Sequence, residues 1–236
     1  VLILGAGLIG CEFANDLIAT GYQVTVADIA AYPLPKLLPA EQGHALQAAL
    51  AALGVTWHLG VGAASVNRVA SQLQTTLSNG TTLTSDVVLS AAGLRPHIAL
   101  AQAAGLYCDA GICVDNTLQT SEAAIYALGD CAQIDGTLYP YILPIAHSTR
   151  ALAATLVGNT TAVKFPVMPV MVKTPACAVV CVPPAIGAAG TWTVTGDSPN
   201  LAATFVNADG TVLGFALTGS ATSQRGAYAA QLSPQL

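Results

Sequence analysis

The chain has 236 residues, of which 53% are hydrophobic and only 8% are charged, and its formal net charge is -5. This composition predicts a globular protein of one large or two modest domains and excludes a disordered chain. The seven Lys and Arg residues argue against a nucleic-acid-binding surface. The most apolar region, residues 165–182, is interrupted by Lys173 and three prolines, so we expect no membrane span.

The opening residues predict a strand, a tight turn, a helix and a second strand. Gly5, Gly7 and Gly10 have the G-x-G-x-x-G spacing of a dinucleotide-binding unit. In such a unit Gly5 permits the turn, Gly7 lets a pyrophosphate approach the backbone, and Gly10 lets the helix lie close to the sheet. The phosphates would bind at the helix N-terminus, where unpaired N–H groups and the macrodipole favour an anion.

Asp28 ends the predicted second strand, eighteen residues after Gly10. A carboxylate at this place accepts hydrogen bonds from the adenosine ribose of a dinucleotide. Residues 29–31 contain no Arg or Lys to neutralise a 2′-phosphate, so we expect NADH rather than NADPH. The alternative is that Asp28 is only a turn residue at the end of a strand.

Helix and strand patterns then alternate as far as residue 91. A loop with three prolines leads to an alanine-rich helix predicted over 40–53, which Gly54 ends. The apolar run 87–91 predicts a strand that is buried on both faces. Four short strands, two of them joined by a turn at 78–80, are predicted over 55–59, 65–69, 73–77 and 81–84.

The middle of the chain places small and acidic residues at strand ends. Gly93 follows the apolar run and would let a ligand approach the end of the sheet. Residues 124–128 predict a strand that runs into Gly129 and Asp130, where a carboxylate can accept hydrogen bonds from ribityl or sugar hydroxyls. A helical run is predicted from Leu143 to Leu156.

From residue 163 onward the composition becomes β-rich, with a hairpin turn at 207–210 and a last helix predicted over 222–232. The predicted strands are 167–172, 178–182, 191–194, 203–206 and 213–217.

The six cysteines have no C-x-x-C spacing, so we expect small buried or half-buried thiols in a reducing cytoplasm and no metal site. His44 and His58 are interpreted as structural. His147 either packs in the core or relays a proton.

Four motifs in order, GAGLIGCEFA, AAGLRP, LQTS and IYALGDCA, resemble the pyridine nucleotide-disulfide oxidoreductase superfamily of flavoproteins. The later segments PYILPIAHSTRALA, VMVKTPA and GFALTGSATSQRGAYAAQL are most similar to its rubredoxin reductase branch. The resemblance implies an α/β fold. It consists of a Rossmann-like NAD(H)-binding domain (1–97), the remainder of an FAD-binding domain (98–160) and a small C-terminal α+β capping domain (161–236).

The resemblance also implies a function: NADH reduces FAD, which passes electrons singly to a small iron–sulfur protein, first of all rubredoxin. A ferredoxin or a quinone remains open as the acceptor. A noncatalytic NAD-binding module is the alternative from a different class. Neither a nucleic acid nor a membrane is expected as a partner.

By motif match, Glu12 lies beside the nicotinamide. Lys173, alone in the segment VMVKTPA, would supply a positive charge to the flavin ring. The alternative for Glu12 is a carboxylate two residues into the helix that is favoured by the helix macrodipole. The alternative for Lys173 is an edge-strand lysine that aids solubility. Pro144 and Ile145 would point a helix N-terminus at the flavin pyrimidine. Glu12 and Lys173 are the candidate catalytic residues. The implied cofactor-binding set is Gly5, Gly7, Leu8, Ile9, Gly10, Glu12, Asp28, Gly93, Gly129, Asp130, Pro144, Ile145 and Lys173.

Two features depart from the family pattern. The sequence lacks the earlier G-x-G-x-x-G unit that holds the FAD adenosine, and it begins within a strand without Met. We therefore expect part of a longer polypeptide that binds FAD weakly or not at all. His97 also stands where relatives usually have Asn.

Overall fold

The computed structural model describes residues 1–234. The first ninety residues alternate strands with helices, as an α/β protein requires. In chain order the elements are β1 (Leu2–Leu4), α1 (Leu8–Ala19), β2 (Thr25–Asp28), α2 (Ala40–Ala52), β3 (Thr56–Leu59), β4 (Ala63–Val69), β5 (Gln72–Leu77), β6 (Thr82–Ser85) and β7 (Val88–Ser90).

Strands predominate in the remainder, and a 3₁₀ helix, Gly219–Gln224, precedes the last α-helix. The elements are α3 (Ala99–Ala103), β8 (Ile112–Val114), β9 (Ala132–Ile134), β10 (Thr137–Leu138), α4 (Ile142–Leu156), β11 (Val170–Val172), β12 (Val179–Val182), β13 (Thr191–Asp197), β14 (Asn200–Val206), β15 (Val212–Thr218) and α5 (Arg225–Ala229). No helix within residues 1–234 is long and apolar enough to cross a membrane.

The chain divides into two compact units. Unit 1 combines Val1–Gly93 with Pro169–Leu232, and unit 2 includes Leu94–Met168. The domain boundaries at residues 97 and 160 stay predictions.

Unit 1 contains a parallel sheet in the order β3-β2-β1-β7. Leu2 of β1 pairs with Thr25 on one side and with Val88 on the other, so β1 is central. The apolar side chains of Ile3 and Val26 are fully buried. Both long helices add to this core, because α1 contributes Cys11 and Ala14 and α2 contributes Leu46 and Leu50. The predicted α/β class is confirmed.

β7 is an edge strand of this sheet, and β1 is its one neighbour there within the described residues. Val87, directly before it, is 51% exposed, and Val88 is half-buried. The prediction of a strand buried on both faces is therefore wrong. An apolar run reports hydrophobicity but not how many layers cover the strand.

The inserted strands form an antiparallel sheet in the order β4-β5-β6. The predicted turn between β5 and β6 is confirmed, because Gly80 donates a backbone hydrogen bond of 2.9 Å to Leu77. Leu77 is buried against Leu2 and Ala27, which joins this small sheet to the parallel one.

The C-terminal part of unit 1 is a five-stranded antiparallel sheet in the order β11-β12-β15-β14-β13. Its β14–β15 hairpin has the predicted turn, in which the Asn207 side chain accepts N–H bonds from Asp209 and Thr211. The fully buried Gln42 of α2 donates to the carbonyl groups of Leu201 and Ala216 at 3.1 and 2.9 Å. Helix α2 is thereby tied to this sheet.

The helix predicted over 222–232 is confirmed as α-helix only over 225–229. Residues 219–224 form a 3₁₀ helix, and α5 is only five residues long. Thr222 and Ser223 donate their hydroxyl hydrogen bonds to the carbonyl groups of Gly219 and Ser220, a local pattern that competes with α-helical bonding.

Unit 2 is built around a three-stranded sheet in the order β10-β9-β8, which packs with α4 on Leu118 and Phe165. The strand predicted over 124–128 is wrong: within the described part of the chain, this segment makes a single bridge, from Tyr126 to Gln119. The Thr120 hydroxyl donates to the carbonyl groups of Glu122 and Ile125, so the segment before Gly129 is folded into turns.

Candidate functional site

The three glycines between β1 and α1 have different surroundings. A Cβ atom on Gly5 would overlap the carbonyl oxygen of Ala91, and one on Gly10 would overlap the carbonyl oxygen of Gly5. Gly5 also has a φ of 114°, which disfavours other residues. A Cβ on Gly7 would meet no described atom within 4 Å. The turn needs Gly5 and Gly10 for its own packing and leaves open space beside Gly7.

Helix α1 begins at this open space. The first hydrogen bond within the helix runs from the N–H of Cys11 to the carbonyl of Gly7, at 2.9 Å. The N–H groups of Leu8, Ile9 and Gly10 therefore have no partner within the helix. Leu8 packs against the core and Ile9 is 42% exposed, so their backbones rather than their side chains can serve an anion.

The carboxylate of Asp28 holds the glycine turn. One oxygen accepts the N–H of Ala6 and the other accepts the N–H of Ala30 at 2.7 Å. The bond to Ala30 is the turn contact of the alternative interpretation. Each carboxylate oxygen has a further lone pair, so these bonds leave Asp28 able to accept ribose hydroxyls. The ribose contact stays a prediction.

The turn, Asp28 and Gly93 lie at one edge of the parallel sheet. The turn and Gly93 follow the carboxyl ends of β1 and β7, and Asp28 is the last residue of β2. Gly93 is exposed, and a Cβ on it would meet no described atom within 4 Å. Ligands of open α/β sheets bind outside this edge. The structure thus brings the predicted dinucleotide residues of unit 1 together.

Cys11 lies under the turn as a neutral thiol. Burial, reinforced by the negative charges of Asp28 and Glu12, raises its pKa to about 12. Its Sγ donates to the carbonyl of Ala6 at 3.4 Å. We assign Cys11 to packing rather than to redox chemistry.

Glu12 is the fifth residue of α1, because the helix begins at Leu8. The predicted position two residues into the helix is wrong, and so is the macrodipole interpretation, since that effect is confined to the first turn. The Glu12 carboxylate accepts the backbone N–H of Lys173 at 2.8 Å. The Lys173 side chain, just after β11, is exposed. The catalytic roles of both residues stay predictions.

Three of the flavin candidates of unit 2, Gly129, Pro144 and Ile145, line one small cavity together with Ser148. Asp130, next to Gly129, is exposed. Helix α4 begins at Ile142, and Pro144 is buried in its first turn. The structure therefore groups these candidates within unit 2.

Two of the four histidines make ring contacts, and the cysteines carry free thiols. The His147 ring meets Phe165 edge-on at 6.3 Å, and the His44 ring meets Tyr32 at 5.5 Å. The six cysteines are free, and each is buried or half-buried, as predicted. Across residues 1–234, no group of three or more His, Cys, Asp or Glu side chains could hold a metal ion.

Three polar side chains were missed by sequence reasoning: Asn15, Gln42 and Gln133. Gln133 of β9 accepts the N–H of Gly111 at 3.0 Å and donates to Asp109 and Gly136 at 3.1 Å each. No sequence signal singles these residues out, because each has charged or polar neighbours within three positions.

The pyridine nucleotide-disulphide oxidoreductase family model matches residues 1–154. The chain belongs to this family. A second model, the rubredoxin binding C-terminal domain, matches residues 162–232.

Two curated proteins that are similar to this chain are named rubredoxin-NAD(+) reductase. The protein of Alcanivorax borkumensis is 50% identical over 226 residues, which cover 95% of this chain and 59% of the relative. The protein of Acinetobacter baylyi is 43% identical over 238 residues, covering 100% of this chain and 61% of the relative. The chain thus spans about 60% of the length of these relatives.

Solved structures of other proteins share the fold of this chain. The ferredoxin reductase for the CYP199A2 system from Rhodopseudomonas palustris has a TM-score of 0.84 at 26% identity, over 95% of this chain and 57% of that one. A FAD-dependent pyridine nucleotide-disulphide oxidoreductase from Desulfovibrio vulgaris has a TM-score of 0.86 at 24% identity, over 97% of this chain and 62% of that one.

Proposed function

We propose that this chain is part of an FAD-dependent NADH oxidoreductase of the rubredoxin reductase type, which passes electrons from NADH through FAD to rubredoxin. The observation that carries the proposal is the glycine turn of α1, with its open space beside Gly7 and the Asp28 carboxylate at the same sheet edge. The relatives named rubredoxin-NAD(+) reductase and the match to a rubredoxin binding domain support the acceptor.

In this proposal, NADH binds to unit 1. The backbone N–H groups at the start of α1 hold the pyrophosphate, and Asp28 accepts the ribose hydroxyls. Ile29 is 81% exposed and is followed by two alanines, so a 2′-phosphate would find no cation at these positions. This composition supports NADH over NADPH. Gly93 and Glu12 would lie on the nicotinamide side.

The residues of unit 2 fit part of a flavin site. A Cβ on Gly129 would meet no described atom within 4 Å, so its backbone is open to a ligand. At the start of α4 the exposed residues Ile142 and Leu143 provide N–H groups that the helix does not pair. Bound there, FAD would accept a hydride from NADH and release the electrons one at a time. Asp130 would accept ribityl hydroxyls, and the positive end of α4 would stabilise negative charge on the ring. The role of Lys173 near the flavin is proposed from the family resemblance alone.

The proposal divides the work between three regions. Residues 1–97 bind NADH, residues 98–160 supply the remainder of the FAD site, and residues 161–236 form the capping domain that meets rubredoxin. Another small iron–sulfur carrier would require the same one-electron delivery. The free cysteines support a reducing compartment such as the cytoplasm.

Absorbance tests the proposal. Because this chain is expected to hold FAD weakly or not at all, FAD is kept in excess, and the mixture is titrated with NADH in the absence of oxygen beside an equal solution of FAD and NADH without the chain. The proposal predicts that the visible flavin bands bleach faster with the chain than without it and return when oxidised rubredoxin is added. Ferredoxin and a soluble quinone serve as matched acceptors. NADH binding in calorimetry without faster bleaching of the flavin bands would instead establish the noncatalytic NAD-binding module.

A further inference from the structure

The segment 173–177, which follows β11, is held by helix α1. The N–H groups of Thr174 and Cys177 donate to backbone carbonyls within residues 172–174, at 3.0 and 2.9 Å. Pro175 has no N–H group. The two remaining N–H groups, of Lys173 and Ala176, donate to side chains of α1. Half of the donors of this segment therefore depend on residues about 160 positions away.

The two acceptors have matching spacing. Glu12 accepts the N–H of Lys173 at 2.8 Å, and Asn15 accepts the N–H of Ala176 at 3.1 Å. Residues three apart lie on the same face of a helix, so both side chains point toward the segment. The two donors are also three residues apart. One face of α1 thus accepts two backbone hydrogen bonds from the segment.

Asn15 has no local reason to be in this helix. Asn is a poorer helix former than Ala by several tenths of a kcal/mol, and it lies in the middle of α1. Asn15 is only 4% exposed, and the polar atoms of a buried side-chain amide need hydrogen-bond partners. The contact with Ala176 provides that partner.

We propose that Asn15 is a positioning residue that, together with Glu12, clamps the backbone of 173–177 onto α1 and so fixes Lys173 relative to the glycine turn. The Lys173 side chain is exposed. Because a lysine side chain is flexible, the position of the Lys173 backbone decides which region its ammonium group can reach. The significance of placing Lys173 rests on the proposed function. The clamp itself is a property of unit 1.

Amide hydrogen exchange, followed by NMR on the whole chain without nucleotide, tests the clamp. Asn15→Leu removes the acceptor at similar volume, and exchange at both Ala176 and Lys173 is expected to rise about tenfold. Asn15→Asp keeps an acceptor oxygen and should restore slow exchange. Thr20→Val is the matched control. Among residues 1–234 the Thr20 hydroxyl bonds only to carbonyl groups of α1 itself, so its loss should leave both amides unchanged.

If Asn15→Leu does not fold, Glu12→Leu provides the same comparison from the other end of the clamp. A rise confined to the amide whose own acceptor was removed would overturn the proposal, because the two bonds would then be independent. So would faster exchange in Asn15→Asp equal to that in Asn15→Leu.

NADH addition separates this inference from the proposed function. If α1 transmits binding, NADH should slow exchange at Lys173 and Ala176 in the native chain and in Asn15→Asp but not in Asn15→Leu. NADH binding in calorimetry without any response at these amides would overturn the link from the turn to Lys173. Absence of NADH binding would overturn the proposed function, while exchange without nucleotide would still decide the clamp.

Discussion

Units 1 and 2 each contain three cysteines, and the packing around them differs. The thiols of unit 1 are buried in its core, whereas those of unit 2 are half-buried. Unit 1 holds Cys11, Cys177 and Cys181, and unit 2 holds Cys108, Cys113 and Cys131.

The two units also differ in how many residues separate the partners of buried glutamine side chains. In unit 1, Gln42 bonds to residues 159 and 174 positions away. In unit 2, Gln133 bonds to residues at most 24 positions away. The dinucleotide turn is therefore part of a core to which both ends of unit 1 contribute. A Cβ atom on Gly129 would meet no described atom within 4 Å, so the Gly129 region is open.

The largest expected contrast is in thiol reactivity. At pH 8, a small aromatic disulfide reagent should label the three cysteines of unit 2 in the native chain. Burial raises the pKa of Cys11 and of Cys181 to about 12. Because the thiolate is the nucleophile, these two should react more than about 1,000-fold more slowly than an ordinary thiol. Mass spectrometry after timed labelling locates the modified residues, and fast labelling of Cys181 would contradict a closed core.

A methyl group at the glycine turn should have the next largest effect. Gly10→Ala places a Cβ against the carbonyl of Gly5, which is backbone and cannot move aside, so the unfolding free energy should fall by about 3 kcal/mol. Gly7→Ala is the matched control, because its Cβ meets open space, and it should cost less than about 1 kcal/mol. Urea unfolding measures both. NADH calorimetry on Gly7→Ala should still show weaker binding, because the methyl group occupies the approach to the turn.

Removing the carboxylate at the sheet edge should have an intermediate effect. Asp28→Ala removes the acceptor for ribose hydroxyls and also releases the N–H of Ala6, so NADH affinity should fall by about 1–3 kcal/mol. Calorimetry measures the change. Asp86→Ala, an exposed carboxylate of the same unit, is the control and should leave affinity unchanged. Equal affinity in Asp28→Ala and the native chain would remove Asp28 from the site.

The smallest effect is expected in unit 2. Gly129 has a φ of 85°, but a Cβ there would meet no described atom within 4 Å. Gly129→Ala should therefore lower the unfolding free energy by only about 1 kcal/mol, the backbone cost of the left-handed conformation. Urea unfolding beside Gly10→Ala gives the comparison. Equal losses in the two variants would mean that the Gly129 region is packed as tightly as the turn.

Local patterns of the sequence determined the features whose causes lie within a few residues. The glycine spacing located the turn and α1, and leucines at three- and four-residue steps located α2, which ends just before Gly54. The Asn207 turn was predictable because its side chain bonds to N–H groups within four positions. The order of motifs indicated the family.

Tertiary structure alone decided the features whose partners are distant. The apolar run of β7 gave no sign that it forms an edge, and residues 124–128 had the composition of a strand but lack its pairing in the described chain. Glu12 and Asn15 bond to N–H groups 161 residues away. A hydrogen bond across that separation produces no repeating sequence pattern in either segment, because the side chain and its backbone partner come close only in the folded protein.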